Sequence, residues 1–211
     1  MSLSAAAPAP DAQATTPDHG KSGPPMAMLF TGKLLNLACP DPAVLTIEVI
    51  ARGLARECRF GRQTTRWLSV AEHSINVAKL VPPGLRRAAM LHDGPEFILG
   101  DMISPLKKHL PDYRLFEETM AEAIAMAHRF PSAAAFSHPA IKAADAAAAW
   151  AEARWTMPPG ADMPAEPTDP ELAMRARDLH IHCWDPTQAE RNFVHEWNRL
   201  HWYLNERQAA A

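Results

Sequence analysis

The chain has 211 residues, 47 % of them hydrophobic and 21 % charged, which is enough for one globular domain with a sizeable core. A formal net charge of −3 and a pI near 6.4 argue against a binder of polymeric nucleic acid or of membrane surfaces, but a few local cations could still hold a small anion. The cysteines, Cys39, Cys58 and Cys183, form no CxxC pair, no N-terminal stretch reads as a secretory signal, and no run is apolar enough to span a bilayer. A reduced, cytoplasmic protein is the expectation.

In chain order, residues 1–25 are an aperiodic mixture of Ala, Pro, Asp, Thr and Gly and read as a disordered tail. A single domain is expected over 26–211. The 30–37 region is the one stretch that reads as extended. Asp41-Pro42 reads as a helix start, with Ile47, Ile50, Ala51 and Leu54 on the inward face and Glu48–Arg52 as an i,i+4 pair. Ser69-Val70-Ala71-Glu72 is a capping box, opening a helix with Val70, Val77, Ala78 and Val81 inward. Leu85 to His92 predicts a third helix, closed by Gly94-Pro95. Asp112 caps a predicted helix to about Arg129. Pro139 opens another through the alanine-rich stretch to about Trp155. Residues 157–170 are too rich in proline for regular structure and read as a surface loop. Asp185-Pro186 starts the last helix, with Phe193, Trp197, Leu200 and Leu204 as its stripe. The fold class is all-α, a helical bundle of six or more helices.

Certain polar side chains fall on apolar faces. Leu85, Ala88, Ala89 and His92 share a stripe, His73 stands one turn before Val77, and Asp145 sits among Ile141, Ala144 and Ala148. Burying a lone carboxylate costs several kcal/mol, of order 3–5, unless a cation or donor compensates it. A divalent cation resolves these anomalies together. Imidazole and carboxylate suit Mn, Fe, Co, Ni or Zn, and two histidines with two aspartates leave positions for water and substrate. Asp93, beside His92 at a helix end, completes the set.

His73, then Leu91-His92-Asp93, then Ala144-Asp145 resembles the signature of the HD-domain phosphohydrolases. Further text supports the likeness: Arg59-Phe60, Ser69 to Ser74, His92-Asp93-Gly94-Pro95-Glu96, Gly100-Asp101-Met102 and Ser104-Pro105-Leu106-Lys107. It looks like the compact bacterial branch that includes the 5′-deoxyribonucleotidases, over about residues 28 to 156. The resemblance implies one divalent cation (Mn, Co, Fe, Ni, Zn or Mg) on His73, His92, Asp93 and Asp145, serving to activate water against phosphorus. It implies Glu96 and Asp101 as the acids that orient water or move protons. It implies Arg59, Phe60 and Lys107 as substrate contacts, although Phe60 replaces the tryptophan typical of the deoxyribonucleotidases. Arg62, Gln63, Thr64 and Arg66 read as a basic, flexible loop able to meet phosphate.

The expected activity is hydrolysis of a deoxynucleoside 5′-monophosphate. Release of tripolyphosphate from a dNTP is the alternative within the enzyme class, and a nucleotide-sensing module without turnover is the alternative outside it. An iron oxygenase on the same scaffold would need two irons and more histidines. His109, His128 and His138 read as surface residues. His180 and His182 read as lying on different sides of a helix, and Trp184, Trp197 and Trp202 as core first and dimer contacts second. The partner is a small nucleotide, and a homodimer is an expectation of the resemblance alone.

Overall fold

A computed structural model describes residues 23–209, with side chains as far as Trp202. Most of the expected tail, residues 1–22, and the Leu204 side chain lie outside the described residues. The chain is all-α apart from one hairpin, in which β1 (Met26–Met28) pairs antiparallel with β2 (Leu34–Asn36). Extended structure within the 30–37 region is thus confined to β2, with β1 as its unexpected partner.

The helices follow their sequence signals with some displacements. Asp41 Oδ1 accepts from the Ala43 amide, but it caps a short 3₁₀ turn, and α1 (Ile47–Arg56) begins under its own cap, Thr46. Its face of Ile47, Ile50, Ala51 and Leu54 is buried as read. Arg52 pairs with Glu190 at 3.6 Å rather than with Glu48. α2 (Val70–Leu80) starts under Ser69, whose hydroxyl accepts from the Glu72 amide. α3 (Arg86–Met90) stops two residues short of His92, which lies in the turn after it. Two short helices, α4 (Glu96–Leu99) and α5 (Ser104–Lys107), lead to α6 (Pro111–Ala127), where Asp112 lies in the first turn and Leu110 holds the cap position. In α7 (Pro139–Thr156) the cap is His138, whose ring accepts from the Ala140 amide.

Residues 157–169 are irregular, as expected, and Asp169-Pro170 opens α8 (Pro170–Arg177). α9 (Pro186–Ala209) starts under Asp185, which accepts from the Thr187 and Gln188 amides. Between them residues 179–185 form neither helix nor strand. This corrects the helical reading of His180 and His182. The two rings stand 4.3 Å apart, with Trp184 stacked on His182 at 4.6 Å. Of the three tryptophans Trp197 is core, Trp184 is half-buried and Trp202 is exposed.

The centre of the bundle is α2, which packs against α1, α3, α7 and α9. Ten of its eleven residues are buried, so its polar residues cannot be solvated and must be satisfied inside. Close approach elsewhere depends on Gly53, where a Cβ would lie 2.1 Å from the Phe97 carbonyl oxygen. That contact lets α1 and α4 touch backbone to backbone. Among the described residues no helix is long and apolar enough to cross a membrane.

Candidate metal centre

Three separate segments deliver ligand-type atoms to one point: α2 brings His73, the turn after α3 brings His92 and Asp93, and α7 brings Asp145. The ligand atoms of His73, His92 and Asp93 all lie within 4.8 Å of one another. Asp145 Oδ1 closes the set, 3.0 Å from His73 Nε2 and 3.9 Å from His92 Nε2. Asp93 Oδ2 is 3.6 Å from His73 Nε2 and 3.2 Å from His92 Nε2. One detail departs from the sequence reading. The Asp145 side chain is 42 % exposed, so it faces outward over the site, although Ala144, Ala147 and Ala148 around it are buried.

The two imidazoles are oriented by their other nitrogens. His92 Nδ1 donates to the Ala89 carbonyl at 2.8 Å. His73 Nδ1 donates to the Glu152 carboxylate at 3.0 and 3.2 Å. Both Nε2 atoms therefore point inward, as the nitrogens that would ligate a metal once free of a proton. Both are buried and without a hydrogen-bond partner, although Asp145 Oδ1 stands 3.0 Å from the His73 nitrogen. Buried polar atoms are almost always satisfied, so two orphans on one point form a cluster that could hold a cation. Two imidazoles and two carboxylates suit a divalent ion.

Electrostatics agree with the geometry. Burial works against charge throughout, yet His92 holds Asp93 down at about 2, and His73 and His92 hold Asp145 well below the usual carboxylate range. In return the two aspartates push His92 well above its ordinary value. His73 is raised too, where Glu152 and Asp145 outweigh burial and the Arg59 charge. Such a set balances its charge either with protons on the rings or with a cation among them.

Glu152 was not singled out in the sequence. It is fully buried, accepts from His73 Nδ1 and from Asn76 Nδ2 at 3.0 Å, and pairs with Arg59 Nε at 3.3 Å. The signal was present: Glu152 is seven residues beyond Asp145, on the same face of α7.

The helper groups divide. Glu96 is 6 % exposed with Oε2 unpartnered. Burial, and then the charges of Asp93 and Asp101, push its carboxyl well above the ordinary value. Asp101 is raised by burial against the pull of Arg59. Arg59 is 11 % exposed, with Nη1 3.7 Å from Asp93 Oδ2, and Phe60 lies under its guanidinium at 5.3 Å. Lys107 Nζ is 2.5 Å from Glu117. Arg62 is two-thirds exposed and tied to Glu57 at 2.8 Å, and no described contact brings it to the cluster. The loop holding it is pinned rather than free, since both the Thr65 amide and its hydroxyl donate to the Thr156 carbonyl. His109 is exposed, His128 bonds the Leu45 carbonyl and His138 caps α7, so none of these three joins the centre.

Glu72, beside His73, does not close the reciprocal half of its capping box. Its carboxylate accepts from the amides of His182, Cys183 and Trp184 at 2.7, 3.1 and 2.8 Å. Cys183 takes φ 56° to make that concave backbone cradle. The metal helix is thus fastened to the C-terminal segment.

A cleft of about 570 Å³ opens against the centre. It is lined by His92, Asp93 and Glu96 on one side and by Leu115, Glu118 and Glu122 of α6 on the other, with no lysine or arginine among its lining residues.

No family model matches the chain. It is 41 % identical over 138 residues to an uncharacterized protein of Rhodobacter capsulatus, covering 59 % of this chain and 69 % of that one. It is 34 % identical over 102 residues to the uncharacterized protein YfdR of Escherichia coli K12, covering 48 % of this chain and 57 % of the relative. The chain belongs to the family of the Rhodobacter capsulatus protein.

Proposed function

We propose that the protein is an HD-type, metal-dependent phosphohydrolase that removes phosphate from a deoxynucleoside 5′-monophosphate in the cytoplasm. The observation that carries the reading is the pair of buried, oriented and unpartnered Nε2 atoms of His73 and His92, facing Asp93 and Asp145 at the edge of a cleft. These four residues would hold a divalent cation. When bound it supplies Lewis acidity toward a phosphoryl oxygen and makes water acidic enough to serve as nucleophile near neutral pH.

The remaining chemistry belongs to the chain. Arg59 presents its guanidinium at the centre from a fixed position and binds phosphate oxygen. Glu96, whose carboxyl burial pushes well above its ordinary value, is placed to donate a proton to the leaving 5′ oxygen. Asp101, closer to its ordinary value, orients water. Phe60 under Arg59 is placed to pack on the sugar or base.

The acidic cleft favours the monophosphate over a dNTP. A triphosphate tail would lie against Glu118 and Glu122 with no lining cation to meet it, and like charges there repel. The ligand set and both helper acids are all present, which speaks against a sensor without turnover. The test is a phosphate-release screen of deoxynucleoside mono- and triphosphates with Mn, Co, Ni, Zn and Mg. Free phosphate from a monophosphate supports the reading, and tripolyphosphate from a dNTP replaces it with the alternative.

A further inference from the structure

The buried carboxylate of Glu152 has one more consequence, which rests on the phosphohydrolase reading. It touches neither cleft nor solvent, being 0 % exposed, yet it contacts groups of two different subsites, one by a hydrogen bond and one by an ion pair. One is His73, a metal ligand, through Nδ1. The other is Arg59, the phosphate cation, whose Nε stands 3.3 Å from the carboxylate in an ion pair without hydrogen-bond geometry. Asn76, one turn along α2 from His73, donates to the same carboxylate and fixes its plane.

We infer that Glu152 is the shared positioning residue of the metal and phosphate subsites, fixing the His73 tautomer and the direction of the Arg59 guanidinium with one side chain. The geometry assigns each part. Donation from His73 Nδ1 leaves Nε2 as the nitrogen aimed at Asp93 and Asp145. The Glu152 charge stands 3.3 Å from Arg59 Nε, behind the guanidinium, while Nη1 stands 3.7 Å from Asp93 at the centre. The charges also match in pairs: Glu152 neutralises Arg59, so Asp93 and Asp145 are left to a divalent cation. A glutamine at 152 keeps the shape and an acceptor but removes the charge that holds both neighbours.

The test measures binding, not turnover. Calorimetry with Mn²⁺ compares wild type and Glu152→Gln, and then inorganic phosphate is titrated at saturating metal. The expected result is a metal dissociation constant raised by about 10- to 100-fold, together with lost phosphate affinity. A merely structural role would lower the unfolding midpoint and leave both constants of the folded protein unchanged, and that outcome overturns the assignment. Should the variant fail to fold, ¹⁵N spectra of the wild-type protein with Zn²⁺ decide the matter. A His73 ring protonated at Nδ1 and metal-bound at Nε2 is expected, and metal at Nδ1 overturns it. Wild type binding no metal would overturn the hydrolase reading and this role together. Metal binding that is indifferent to Glu152→Gln overturns this role alone.

Discussion

Glu96→Gln should make the protein more stable and nearly inactive at once. Glu96 is buried with an unpartnered oxygen between the charges of Asp93 and Asp101. Its folded-state pKa is therefore above the unfolded value of 4.5, so above that value the folded chain binds more protons than the unfolded one. Stability is then full below the unfolded pKa and falls as pH rises toward the folded pKa. Each unit of elevation is worth about 1.4 kcal/mol, and for a domain of this size about 1 kcal/mol moves the melting midpoint by roughly 2–4 °C. Glutamine has no proton to lose and turns an amide donor toward acidic surroundings, so the variant should melt higher at pH 7 and show a flatter pH profile between 4.5 and 7. Its rate of phosphate release should drop by about 10²- to 10⁴-fold, the usual contribution of a general acid, with metal still bound. Calorimetric melts at several pH values and a phosphate assay check both limbs. A variant that is less stable than wild type at pH 7, or that retains full turnover, would refute the reasoning.

Other perturbations read other parts of the structure. Glu72→Gln should cost about 1–3 kcal/mol in denaturant unfolding, because an amide nitrogen would face one of three part-buried donors and leave it unsatisfied. Hydrogen exchange should show the His182, Cys183 and Trp184 amides losing protection, and unchanged protection would refute the cradle. Metal binding should expel on the order of one proton near pH 7, since His73 and His92 are raised in the metal-free protein and must be neutral to ligate. Affinity then weakens as pH falls, and heats that do not depend on the buffer's ionisation enthalpy would contradict this. Gly53→Ala should destabilise by about 1–3 kcal/mol or more and lower activity, because the new methyl would push α4, which carries Glu96, away from α1. An intact activity in a destabilised protein would separate the two effects.

What could be read in the sequence was what is encoded locally or by type. Helix starts at Ser69, Pro139 and Asp185 follow from capping chemistry within a few residues. His73, His92 and Asp145 stood out because each is polar on an apolar face, and Asp93 because it follows His92 at a helix end. What escaped depends on distant partners. Glu72 looks like the second half of a capping box until residues more than a hundred positions away fold against it. Glu152 sits in an alanine-rich helix where Asp145 already accounted for the anomaly, and only the fold brings Asn76 and Arg59 to it. The Asp169-Pro170 start repeats the signal used at Asp41 and Asp185, but the proline-rich run before it hid a short helix. His180 and His182 were misplaced because two residues of spacing carry no periodicity, and the cradle around Glu72 decides the backbone there.

The central claim is that His73, His92, Asp93 and Asp145 hold a divalent ion. Equilibrium dialysis against Mn²⁺ followed by elemental analysis tests it most directly, on wild type, His92→Ala and Asp145→Ala with folding checked by circular dichroism. The account expects about one ion per wild-type chain and little or none in either folded variant. Variants that bind as much as wild type, or a wild type that binds none, would contradict it.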